Sequence, residues 1–199
     1  MHFFRPNRRQ WLALAAAAPA LVLAEQVRPG LDPAGWLVSE KLDGVRALWD
    51  GERLRFRSGG LIAAPAAFLA RLPRTPLDGE LWLGRGRFEA LSATVRRAQP
   101  RDDEWQGVRY APFELPQAPG RFAERAQRLQ QLLREVAGPS LWALPQERLD
   151  SPEALRQHAQ AVYQQAVVTR AMPLNNATAI TDAERALIRR WFEMGAPVP

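Results

Sequence analysis

The chain has 199 residues, 47% of them hydrophobic and 24% charged, which is enough apolar material for one medium domain or two small ones. It has no cysteine and only two histidines, His2 and His158. That excludes disulfides, thiolate nucleophiles and covalently attached haem, and nearly all His-based triads and metal sites. The net charge is +6, yet Lys41 is the only lysine, so the excess is arginine.

The first 24 residues read as an export signal. A basic start (Arg5, Arg8, Arg9) precedes an apolar stretch from Trp11 to Leu23, and Val22-Leu23-Ala24 fits a small-x-small cleavage site. The paired Arg8-Arg9 is close to a twin-arginine signal. The reading predicts a periplasmic protein with no stable membrane insertion after cleavage. Loss of three arginines would leave the mature chain at +3.

From Gly35 to Leu48 the pattern predicts a strand, a turn at Leu42-Asp43-Gly44 and a second strand. A further hairpin turns at Asp50-Gly51, continues through Leu54–Arg57 and closes at Ser58-Gly59-Gly60. Pro65–Pro73 reads as a short helix bounded by prolines. Leu77–Phe88 reads as strand, Gly-Arg-Gly turn, strand, and Phe88–Ala98 has helical spacing with Leu91, Thr94 and Val95 on one face. Val108–Pro116 is a buried strand, and Gly120–Gly138 is an amphipathic helix. These elements predict an α+β domain with antiparallel sheets over residues 25–148. Core packing is the default for Trp36, Trp82 and Trp105.

Residues 149–199 predict an all-helical tail. One helix opens at Ser151-Pro152, and a second begins with a Thr181–Glu184 capping box and carries Leu187, Trp191 and Met194 as its apolar stripe.

Arginine replaces lysine as a charge but not as a nucleophile. Lys41 therefore draws attention in "SEKLDGVRALWDG", with Glu40 beside it and Asp43, Gly44 and Arg46 just behind. Neutral amine attacks phosphorus, and that form is favoured where like charge and desolvation crowd a lysine. Arg46 and Arg57 suit phosphate oxygens, and Asp43 and Glu80 suit a divalent cation or a ribose hydroxyl.

Lys41-Leu-Asp43-Gly44-Val-Arg46 resembles motif I (KxDGxR) of the covalent nucleotidyltransferases, which are ATP-dependent DNA ligases, RNA ligases and capping enzymes. Arg57-Ser58-Gly59 resembles the arginine-bearing segment that follows motif I. Leu77-Asp78-Gly79-Glu80-Leu81-Trp82 resembles motif III, and Tyr110–Leu115 resembles motif IIIa with Phe113 as its aromatic and Glu114 in place of the usual aspartate. The spacings and the export signal resemble the small periplasm-directed bacterial DNA ligases, over about Trp36 to Gly138.

The resemblance implies part of an ATP-grasp-like ligase adenylation domain that uses ATP and Mg²⁺. Lys41 would be the catalytic residue and form a lysyl-AMP. Glu40, Asp43, Gly44, Arg46, Arg57, Glu80 and Phe113 would bind nucleotide, Phe113 by stacking on adenine and Glu80 also as the metal ligand. The implied partner is nicked double-stranded DNA, sealed in DNA repair by a monomer.

Three features depart from the family. Motif V needs further lysines that the chain does not have. The nearest stretch to motif IV, Gln165–Arg170, lacks the Glu-Gly, and no stretch reads as the C-terminal OB-fold. His158–Pro197 resembles the end of a c-type cytochrome domain of urate-hydroxylase-type membrane proteins, with Met172 at the axial-ligand position but no C-x-x-C-H. The expectation is a chimera. Its alternatives to a working ligase are a non-catalytic nucleic-acid-binding fragment and a haem-free cytochrome derivative.

Overall fold

The computed structural model describes residues 2–4, 35–136, 138–149, 156, 158–170 and 180–197. The export-signal reading of residues 1–24 lies outside them apart from residues 2–4, as do Ser151, Pro152 and Met172.

Two antiparallel sheets organise the chain. The smaller contains β1 (His2–Phe4), β2 (Trp36–Ser39) and β8 (Glu147–Leu149), with β2 in the middle. The larger has five strands: β3 (Val45–Trp49), β4 (Leu54–Phe56), β5 (Leu61–Ile62), β6 (Leu77–Trp82) and β7 (Arg109–Glu114). Their order is β5-β4-β3-β6-β7, so β6 is flanked by β3 and β7. The β3–β4 hairpin forms as its sequence predicts. Asp50 Oδ1 accepts the backbone N–H groups of Glu52 and Arg53 at 2.9 and 2.7 Å, and Gly51 supplies a φ of +104°.

Two predicted hairpins are not present. The strands before and after Lys41 do not pair with each other, because β2 belongs to the small sheet and β3 to the large one. The segment Glu40–Gly44 therefore crosses between sheets instead of turning within one. After β6, the Gly84 and Gly86 turn leads into helix rather than strand. Leu91 and Val95, four residues apart and both buried, give this stretch a helical face to pack.

The helices are α1 (Ala66–Leu69), α2 (Phe88–Val95), α3 (Asp102–Trp105), α4 (Phe122–Glu135), α5 (Ala159–Tyr163), which runs on into a π-helical turn over Gln164–Val168, and α6 (Asp182–Glu193). No helix among the described residues is long and apolar enough to cross a membrane.

Alternation along the strands divides the large sheet into two faces. Ala47, Trp49, Leu54, Leu77, Leu81 and Tyr110 face a core shared with Leu91 and Val95 of α2 and Leu129 and Leu133 of α4. The Tyr110 hydroxyl lies 2.9 Å from the Ala47 carbonyl and 3.1 Å from that of Leu77, so its one proton always has an acceptor. Arg46, Asp78, Glu80 and Trp82 alternate out of phase with that core and occupy the opposite face.

In the tail, the Thr181–Glu184 capping box forms as predicted. The stripe does not pack as expected: Leu187 is 56% and Met194 69% exposed. The helix docks instead through Phe192, stacked 4.4 Å from Tyr163, and through buried Arg185, which donates to the Ala166 carbonyl. An arginine that finds a carbonyl acceptor has displaced the apolar face that periodicity alone would choose.

Gly79 sits at the bulge between β6 and β7, and a Cβ there would lie 2.6 Å from Pro112 Cα. The neighbour is backbone and cannot rotate away. Gly79→Ala should destabilise the protein by about 3 kcal/mol, read as a lowered urea midpoint with an unchanged m-value.

Candidate active site

Glycine at 44 lets the crossing segment press onto β6. A Cβ on Gly44 would meet the Leu81 carbonyl oxygen and lie 2.6 Å from Glu80 Cγ. Two residues earlier, Leu42 is buried in a small apolar cluster with Ala111 and Leu144, against Trp82 and Trp142. Anchored at 42 and 44, the segment holds half-buried Lys41 and Asp43 beside Glu80.

The electrostatics show the same proximity. Burial pushes the Glu80 carboxyl up to about 8, with Lys41 and Arg46 opposing the shift and Asp78 and Asp43 reinforcing it. Asp43 is also raised, first by burial; Lys41 opposes this and Glu89 at the start of α2 adds to it. Asp43 Oδ1 is buried with no hydrogen-bond partner among the described residues. An orphaned carboxylate oxygen beside a lysine and a second carboxyl is a position prepared for a ligand.

Next on this face, Arg46 grips Asp78 with two hydrogen bonds, Nε to Oδ1 at 3.0 Å and Nη2 to Oδ2 at 2.5 Å. Its guanidinium lies 5.2 Å from the centroid of the half-buried Phe113 ring. Behind Phe113, buried Glu114 is held bidentately by Arg125 of α4. Gln146 fastens the chain before β8 to this strand, donating from Nε2 to the Phe113 carbonyl at 2.9 Å. Arg109 stacks on both Trp82 (4.9 Å) and Trp142 (4.7 Å), closing the cluster that buries Leu42.

The structure thus gathers Lys41, Asp43, Gly44, Arg46, Glu80 and Phe113. Glu40 lies at the edge, paired with the largely exposed Arg85 at 2.5 Å. Arg57 is exposed on the turn after β4. Asp78, the other carboxylate of the Leu77–Trp82 stretch, is fully buried and occupied by Arg46, so it serves as a structural counter-ion.

Sequence reasoning missed Arg125, Arg109, Trp142 and Gln146. Only Glu114, a carboxylate in an otherwise apolar run, signalled that a cation had to come from elsewhere. A Mg²⁺ bound with phosphates needs only one or two carboxylates. Asp43 and Glu80 fit that set, although among the described residues no three ligating side chains converge into a cage.

Over 101 residues the chain is 38% identical to a DNA ligase of Haemophilus influenzae, a match that covers 51% of this chain and 37% of that one. This chain is similar to DNA ligases. Among solved structures, one from a structure–function study of DNA binding by Lig E DNA ligases superposes with a TM-score of 0.59 at 37% identity, covering 67% of this chain and 52% of the other. The chain spans about half the length of these relatives or less. No family model matches it.

A carboxyl whose folded pKa lies near 8 holds a proton that the unfolded chain releases above the ordinary value of 4.5. The native state binds more protons in that window, so stability falls as pH rises from about 4.5 to 8. Glu80→Gln should remove that slope and stabilise the protein at pH 8 by roughly 2 kcal/mol relative to the parent. Urea midpoints measured across the window check both the sign and the flattening.

Proposed function

We propose that the chain carries the nucleotide-activating centre of an ATP-dependent DNA ligase. The observation that carries this reading is the placement of Lys41 beside the unpaired Asp43 oxygen and Glu80, on the same sheet face as Arg46 and Phe113.

In this reading Lys41 Nζ, deprotonated, attacks the α-phosphorus of ATP. The new N–P bond forms as the bond to the bridging oxygen breaks, and the electron pair leaves with pyrophosphate. The AMP then passes to the 5′-phosphate of a nick, and the adjacent 3′-hydroxyl displaces it. Phe113 stacks on adenine, and Glu80 meets the ribose or the cation. Arg46 supplies positive charge near the ring, and Arg57, exposed on the turn after β4, suits phosphate oxygens. Mg²⁺ held by Asp43 and Glu80 would supply neutralisation of phosphate charge, and the ionised form of Glu80 would be favoured there.

Nicked double-stranded DNA as partner, a monomeric state and a periplasmic location belong to the same proposal. The location has its own check. A mature N-terminus at Glu25 in the periplasmic fraction supports export, and a chain starting at Met1 in the cytoplasm overturns it.

The central test uses α-labelled ATP with Mg²⁺. The parent should acquire a covalent label that is lost in acid and survives alkali, as phosphoramidates do. Lys41→Ala and Lys41→Arg should each lower labelling by at least about a thousandfold. Folded parent protein that takes no label would sink the proposal.

A further inference from the structure

Asp78 and Glu114 are cross-strand partners on β6 and β7, and they are 0% and 1% exposed. Two carboxylates opposite each other and out of water repel, and each needs a cation of its own. Arg46 of β3 supplies one to Asp78. Arg125 of α4 supplies the other to Glu114, with Nε to Oε1 at 2.9 Å and Nη2 to Oε2 at 2.6 Å.

Glu114 is fixed from a third side by the Leu115 N–H at 2.7 Å, and Arg125 is itself braced on the Gly120 carbonyl at 2.6 Å. The negative charge of Glu114 is felt at Asp78. The line of charges therefore runs from α4 through two strands to the guanidinium that lies over Phe113.

We propose that Arg125 is a positioning residue that acts through Glu114 and Asp78 to hold Arg46 over Phe113, and so sets the affinity for the nucleotide without acting on Lys41. The inference rests on the nucleotidyl-transfer reading above. With Arg125 removed, Glu114 is a buried carboxylate without its counter-ion, next to one that Arg46 already holds. Arg46 is the cation on Asp78 and is drawn to serve both carboxylates, which pulls it off the aromatic ring. Removing the Glu114 charge as well abolishes that pull, so the double substitution should be milder than the single one. Lys41 precedes β3 on the crossing segment, outside this chain of contacts, so the attack itself is spared.

The test compares the full chain with Arg125→Met, Arg125→Lys and the pair Glu114→Gln/Arg125→Met. Two quantities are read: the ATP dependence of labelling on Lys41, and ATP binding by calorimetry, which needs no chemistry. Arg125→Met should raise the half-saturating ATP concentration about tenfold and leave the maximal labelling rate within about twofold, a split that general loss of structure does not produce. The double variant should return to within about threefold of the parent.

Unchanged ATP affinity in folded Arg125→Met overturns the proposal, and so does a double variant no better than the single one. If Arg125→Met does not fold, Arg125→Lys decides. It keeps the charge but loses the two-pronged grip, and should raise half-saturation about threefold; no change overturns the proposal. If the parent takes no label but binds ATP and the variants shift binding as described, the transfer reading fails while Arg125 keeps its positioning role. A parent that binds no ATP overturns both.

Discussion

Residue 44 has room for nothing beyond a hydrogen on its α-carbon, because any side chain would run into the Leu81 carbonyl and the Glu80 side chain. Much of the site follows from that contact. The chain leaves one sheet at Ser39 and enters the other at Val45, and between them it must lie flat on β6. Leu42 turns into the apolar cluster, which leaves Lys41 and Asp43 on either side of a fixed point. The nucleophile candidate is thus held by backbone against backbone. That support is stiffer than a side-chain contact, and stiffness is what a reacting group needs in order to meet a phosphate at a set distance.

The polar face of β6 is costly, and the structure shows how the cost is met. Asp78, Glu114 and Glu80 are carboxyls removed from water, which raises Asp78 and Glu80 above their ordinary range. Two of the three have bidentate arginines, and those two sit deepest. Among the described residues Glu80 has no such partner, and it faces Lys41 and Asp43 instead. A strand with one arginine-clamped and one unclamped carboxylate two residues apart separates support from function: the clamped group holds the frame, and the unclamped one is available to a ligand.

The longer strands of the large sheet and the long helices were legible in the sequence because they rest on local periodicity, whereas β1, β5 and β8 were not. The 2-residue alternation of β6, the spacing of Leu129 and Leu133 in α4 and the Thr181–Glu184 box each specify an element without reference to the rest of the chain. The partner sheet of β2 was not legible. Strand, turn and strand look the same whether the strands pair with each other or cross between sheets, and β2 takes its neighbours from residues 2–4 and 147–149. The site divided in the same way. Lys41, Asp43, Arg46 and Glu80 lie within two short motifs and were read directly. Arg125 lies eleven residues from Glu114 on another element, and Trp142 meets Trp82 across sixty residues. The fate of Asp78 shows the limit from the other direction: as a letter it is a ligand candidate, and only its bidentate bond to Arg46 reveals it as occupied.

The lysine content of the chain sharpens the chemistry. Guanidinium groups stay protonated at any working pH and hold carboxylate or phosphate oxygens in pairs, so arginine serves for every clamp described above. It serves poorly as a nucleophile, since its nitrogens share their electrons across the planar group. A chain that uses arginine at every other basic position therefore separates the two roles by residue type: the cations that hold are arginines, and the one side-chain amine able to attack is Lys41. Where one lysine both balances charge and attacks, the two roles are hard to tell apart by its removal. A lysine-to-arginine exchange at position 41 keeps the cation and removes the amine, so on the proposed reading it separates holding a phosphate from attacking it.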